Sequence, residues 1–141
     1  MKRSSQSKID FGFWKKEIET IPFVHLLGMK VIALDEEGLE MKMKVTPKLI
    51  NYLGVIHGGG ITSLIDTAVY FAIRPFVPKG KGLTTTEMKT NFFRAVGKGN
   101  LIARAKTLHL GARTAVGEAV ILDGDGKLIA KGTVGHLILE K

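Results

Sequence analysis

The stretch "NYLGVIHGGGITSLID", residues 51–66, sets Asn51, His57, three consecutive glycines and Asp66 in an otherwise apolar run. A glycine run opening a helix leaves backbone N–H groups exposed with little bulk around them. Those donors lie at the positive end of the helix dipole, which suits a phosphate or a developing oxyanion. "GGGITS" lacks the Gly-Lys-Ser/Thr ending of a phosphate loop. The glycines then fit either an oxyanion donor at Gly58 or a tight turn that lets a helix pack closely. Asp66 bears on that choice. An aspartate among apolar residues on a buried helix is costly unless paired or near water. No Lys or Arg lies three or four residues from it, so it is either held by a structural hydrogen bond or poised for chemistry.

Other chemistries fall away. The chain has no cysteine, which excludes disulfides, thiolate zinc sites and cysteine nucleophiles. His25, His57, His109 and His136 have no metal-ligand spacing with one another or with an HExxH pattern, so no metal is expected. Outside His57, the histidines are expected to be structural hydrogen-bonders. Ser63 lacks the GxSxG elbow of a serine hydrolase.

The elements that must position these residues follow from periodicity. Residues 1–8 form a loose basic tail, and residues 9–141 a single domain with one core. "DFGFWKKEIETIPFVHLL" predicts a short helix with Phe13, Trp14 and Ile18 on one side, then a turn at Pro22. "GMKVIAL" and "LEMKMKV" flank "DEEG", and Leu39, Met41, Met43 and Val45 alternate with polar residues, which predicts a hairpin with one wet face. From about Gly59 to Ile73 runs a helix apolar around most of its circumference, hence buried on most sides. Four strands follow at 83–94, 101–110, 113–122 and 128–139, joined in part by the glycine-bearing turns "LGAR" and "DGDGK". A curved antiparallel sheet wrapped around one central helix buries that helix most economically, an α+β fold.

The formal charge is +8, with 21 Lys and Arg spread along the chain. That charge suits a solvated surface or a phosphorylated ligand. No RNP strand, zinc finger or basic helix is present, and no nucleic-acid partner is expected. The longest apolar stretch, Leu64 to Ile73, contains Asp66 and is too short to span a bilayer. "MKRSSQSKID" has no apolar core of a signal peptide. A cytoplasmic protein with no membrane partner is the expectation.

The string Asn51-x-x-Gly54-x-x-His57-Gly58-Gly59 followed by a helical Asp66 resembles the signature of hotdog-fold acyl-CoA thioesterases of the phenylacetyl-CoA (PaaI-like) type. The similarity runs from "LLGMKV" through "TTTEMKTNFFRAV" to "LGARTAVGEAVILDGDGKLIAKGTV". The resemblance implies a hotdog fold and hydrolysis of an acyl-CoA thioester, with a non-catalytic acyl-CoA binding or sensing domain as the alternative. It implies Asp66 as general base or nucleophile, the Gly58 amide as oxyanion donor, and His57 and Asn51 as groups that orient the thioester and the acid. Thr85 aligns with a strand position where related enzymes carry Ser or Thr to hold the attacking water, although "TTT" at 84–86 leaves the register open. Coenzyme A enters as part of the substrate, and no separate cofactor is implied. Arg94, Lys98 and Arg113 are the candidates for its phosphates. Tyr52, Leu53, Val69, Tyr70 and Ile73 are candidates for an acyl pocket, with core packing as the other reading.

Spacing adds a constraint of its own. Eight residues of helix separate Gly58 from Asp66 by about 12 Å. Both must come within about 3 Å of one thioester. A second copy related by a two-fold axis would supply the missing half. A homodimer at least is therefore expected, with a homotetramer as the larger assembly that the spacing leaves open.

Overall fold

The computed structural model describes residues 8–140. The expected tail lies outside the described residues except at Lys8. The Lys8 backbone N–H donates to the Glu36 carboxylate at 3.0 Å.

Six strands form one antiparallel sheet: β1 (Met29–Asp35), β2 (Gly38–Lys44), β3 (Gly82–Phe92), β4 (Asn100–Leu110), β5 (Thr114–Leu122) and β6 (Leu128–Leu139). Their order across the sheet is β1-β2-β4-β5-β6-β3, which leaves β1 and β3 at the edges. The long helix α3 (Gly58–Ile73) lies on the sheet and buries Ile61, Leu64, Ile65, Ala68, Val69 and Ile73. Complete burial of each large aliphatic side chain contributes about 1.5–3 kcal/mol. This is the hotdog fold. Two glycines set how closely helix and sheet approach. A methyl at Gly117 of β5 would come within 2.6 Å of Val69 Cγ1 and 2.9 Å of the Lys106 carbonyl. One at Gly132 of β6 would come within 2.9 Å of Ile65 Cγ2.

An irregularity in β3 decides which of its residues meet the helix. The pairing with β6 matches Thr85 to His136 and Glu87 to Gly135, with a bulge between. Across a bulge the alternation of faces shifts by one residue. Thr85 before it, and Met88 and Thr90 after it, therefore share the face on which β6 places His136, Val134 and Gly132. The run Thr84–Thr86 has one member on the helix side, and it is Thr85.

The N-terminal segment departs from the expected single helix and turn. It forms α1 (Phe11–Glu19) and α2 (Pro22–Leu27). Asp10 caps α1 by accepting from the Phe13 N–H at 3.0 Å. Pro22 opens α2 rather than breaking a helix, since the first turn needs no N–H from it. Glu19 stitches α1 to β1: its carboxylate accepts from the Val31 N–H at 2.8 Å and pairs with Lys15 and with Lys30. Burial opposes its charge, but the Lys15 hydrogen bond, the Val31 N–H and the two lysine charges outweigh that and hold Glu19 below the usual carboxylate range. No helix among the described residues is long and apolar enough to cross a membrane.

Candidate active site

The first half of the site is backbone. Residues 50–57 form a small loop closed by an Ile50–Ile56 bridge, and it delivers the chain into α3. Asn51 builds the tip: its Oδ1 accepts from the N–H groups of Leu53 (2.9 Å) and Val55 (3.3 Å), a turn that Asn makes readily. That turn leaves Tyr52 96% exposed. His57 caps α3, its Nδ1 accepting from the Gly59 N–H at 2.8 Å. With Nδ1 accepting, the ring proton sits on Nε2 and is free to donate outward. The His57 carbonyl takes the Gly60 N–H at 2.9 Å. Among the described residues the Gly58 N–H has no acceptor. Gly58 lines a cleft of about 340 Å³ with Ile56, Ile61, Phe92, Phe93 and Arg94. Arg94 thus shares a cleft with the free N–H, and Lys98 is exposed on the same loop, residues 93–99.

The second half is made of side chains. Asp66 is half-buried on the side of α3 away from the main core stripe. Its Oδ1 accepts a hydrogen bond from the Thr85 hydroxyl at 2.8 Å. One turn on, the Tyr70 hydroxyl donates to the Leu83 carbonyl at 2.8 Å. Burial raises the Tyr70 phenol above its ordinary range, and the charge of Asp66 adds to that, against the lowering effect of Arg74. Tyr70 lines a cleft of about 300 Å³ with Phe13, Trp14, Phe71 and Arg74. Ile73 does not join it. That residue is fully buried and packs toward Gly117 of β5 with Val69, because a helix apolar all round must turn one side to the sheet. Arg113 lies at this end too, its carbonyl accepting from the Ile138 N–H at 2.8 Å. It is thus apart from Arg94 and Lys98.

One member of this cluster was not expected. His136 on β6 is 2% exposed, and its ring lies edge-on to that of Tyr70 at 5.9 Å. It approaches the Ala115 backbone, yet neither ring nitrogen reaches hydrogen-bond geometry with any described residue. It is not the structural hydrogen-bonder that the sequence led us to expect. His25 and His109 are exposed.

The two halves are separated along β3. Gly58 is near Phe92, the last residue of the strand, and Asp66 near Thr85. Seven strand residues span roughly 20 Å. The thioesterase superfamily model matches residues 53–130, which carry Gly58, Asp66, Thr85 and Phe92. The chain belongs to the thioesterase superfamily. Among its relatives, the proofreading thioesterase EntH of Cronobacter turicensis is 30% identical over 104 residues, 74% of this chain and 76% of that protein. The crystal structure of thioesterase HI1161 from Haemophilus influenzae superposes with a TM-score of 0.83 at 25% identity, covering 88% of this chain and 87% of that one. A mutant of thioesterase PA1618 from Pseudomonas aeruginosa shares the fold with a TM-score of 0.87 at 23% identity, covering 95% and 96%. Like other members of the superfamily, this thioesterase is a hydrolase by kinship. Its own geometry must say how.

Proposed function

We propose that this thioesterase hydrolyses an acyl-CoA ester to a carboxylic acid and free CoA. The observation that carries the reading is the unpaired Gly58 N–H at the head of α3, open to a cleft that Arg94 borders. The thioester carbonyl oxygen accepts from that N–H and from His57 Nε2, where negative charge develops in the transition state. The Thr85 bond occupies Oδ1 of Asp66 and leaves Oδ2 to take a proton from water. The hydroxide so formed attacks the carbonyl carbon, and the tetrahedral intermediate collapses with release of the CoA thiolate. That thiolate recovers the proton. Direct attack by Oδ2 would instead form an enzyme anhydride, and a single turnover in ¹⁸O-labelled water separates the two by where the label first appears.

Two copies of the chain complete each site. β3 presents eleven residues with no strand on its outer side among the described residues. An antiparallel partner centred on Lys89, with the bulged Thr86 passed over, brings Thr85 of one copy opposite Phe92 of the other. Asp66 of one then faces Gly58 of its neighbour. The same rotation brings Arg113 toward Arg94 and Lys98, three cations suited to the CoA phosphates. The aromatic cleft at Tyr70 takes the acyl group, because it opens one turn from Asp66. We place the enzyme in the cytoplasm, as a dimer able to pair further into a tetramer.

The test is thiol release from a panel of acyl-CoA esters, with Asp66→Asn alongside. One acyl class should turn over well, and the variant should lose at least ~100-fold while still binding the ester. Rates flat across the panel would defeat the enzyme reading. Retained affinity with no turnover by wild-type protein would favour a sensor.

A further inference from the structure

His136 sits behind the acid and has no task in the reaction just described. Four elements bring it there. On β6 it pairs in register with Thr85 of β3 and Ala115 of β5, and α3 faces it with Tyr70 and Asp66. Thr85 is also the residue that donates to Asp66. Of the groups facing the ring, Asp66 carries the charge that acts on it. Its inward neighbours along β6 are Val134 and Ile138, both buried and aliphatic. A leucine or phenylalanine would fill that place without leaving two ring nitrogens unpaired, an arrangement that destabilises a core.

We infer that His136 is a positioning residue for Asp66. As a neutral ring it leaves the carboxylate on Thr85 and facing outward; as an imidazolium it pairs with the carboxylate and draws it inward, shutting the site. The inference rests on Asp66 acting as proposed above. Burial favours the neutral ring and moves its titration below the usual histidine range, against the opposing pull of Asp66. At neutral pH the ring is therefore uncharged and the site open. As pH falls, protonation of the ring disarms the acid, because the imidazolium holds the carboxylate that must take a proton from water. Losing His136 should accordingly extend activity to lower pH.

Two measurements test this. In the first, NMR follows the ring C–H signals of His136 in wild-type protein and in Asp66→Asn. The midpoint should fall in the variant, because a carboxylate that favours the imidazolium has gone. An unmoved midpoint overturns the inference; the measurement needs no turnover, so its outcome is read separately from that of the hydrolase reading on which the inference rests. In the second, the pH profile of kcat/KM is compared between wild type and His136→Phe, with His136→Gln used if the first variant does not fold. The acid midpoint should move to lower pH, and the variant should keep a severalfold larger fraction of its plateau rate at about pH 5. A residue that merely packs would lower the rate equally at every pH and leave the midpoint in place. That outcome overturns the inference too.

Discussion

At its N-terminal end α3 offers a backbone N–H, and two turns later it offers a carboxylate, and the two are supported in different ways. The Gly58 end is held by loop hydrogen bonds from Asn51 and His57 and opens to solvent. The Asp66 end draws on α3, β3 and β6 together, with a hydroxyl at 2.8 Å and a buried ring behind it. A donor that must only point can be made from backbone and a cap. An acid that must keep a fixed direction and charge needs side chains from several elements. Damage at the first end should therefore cost activity alone, and damage at the second should cost activity and fold together.

The largest effect tests whether the two ends belong to different copies. Asp66→Ala in one chain, and Asn51→Ala with His57→Ala in another, should each lose at least ~100-fold in turnover. Co-expressed with different tags and tandem-purified, the mixed dimer has one site with both lesions and one with none. It should recover about half of wild-type activity. A folded mixed dimer as dead as its parents would place both ends of the site within one chain.

Glycine substitutions sharpen the contrast. A methyl at Gly58 would lie 3.5 Å from the Phe92 ring, an ordinary contact. Gly58→Ala should keep the melting temperature and lose about 10- to 100-fold in kcat/KM, since it crowds the atom that meets the substrate. Gly117→Ala, beneath the Asp66 half of α3, should destabilise by about 1–3 kcal/mol through overpacking. Equal thermal losses in both variants would erase the distinction between the ends.

Thr85→Val removes the hydroxyl and keeps the shape. Turnover should fall about tenfold, the scale of one hydrogen bond to a charged group, and Thr85→Ser should restore it. Loss in the serine variant as large as in the valine one would mean that packing is what Thr85 supplies.

The smallest effect concerns α1, which carries Phe13 and Trp14 to the cleft at Tyr70. Glu19 titrates below its unfolded range, so its contribution is present above the unfolded pKa and is lost as pH falls through the folded one. Glu19→Gln should destabilise by about 1 kcal/mol at neutral pH. Urea melts should show that difference vanishing toward acid pH. A difference independent of pH would assign the stabilisation to packing.

Most of the fold was legible because two periods are written plainly. Alternation in "LEMKMKV" and helical spacing from Gly59 to Ile73 lie within a residue or two of the observed β2 and α3. The motif also offered candidates at Gly58 and Asp66. It could not tell which way a helix apolar all round would face, and of the two readings of Ile73, acyl pocket and core packing, the structure has the second. Nor could it tell which threonine of three points inward, since a bulge that shifts the alternation leaves no mark in residue type. At Pro22 the turn expected from the sequence falls one or two residues earlier, and the proline opens α2. His136 carried a signal that went unused: in "VGHLI" it alternates with Val134 and Ile138, and a histidine at an inward strand position asks for an explanation.

The open edge of β3 gives this enzyme a timetable. On the shared-site reading a newly folded chain holds two unmatched half-sites and no complete one. Activity then grows with the square of chain concentration until pairing saturates. At ordinary protein association rates and micromolar levels, the wait for a partner is on the order of a second. Diluted below its pairing constant, the same chain would be intact, folded and silent.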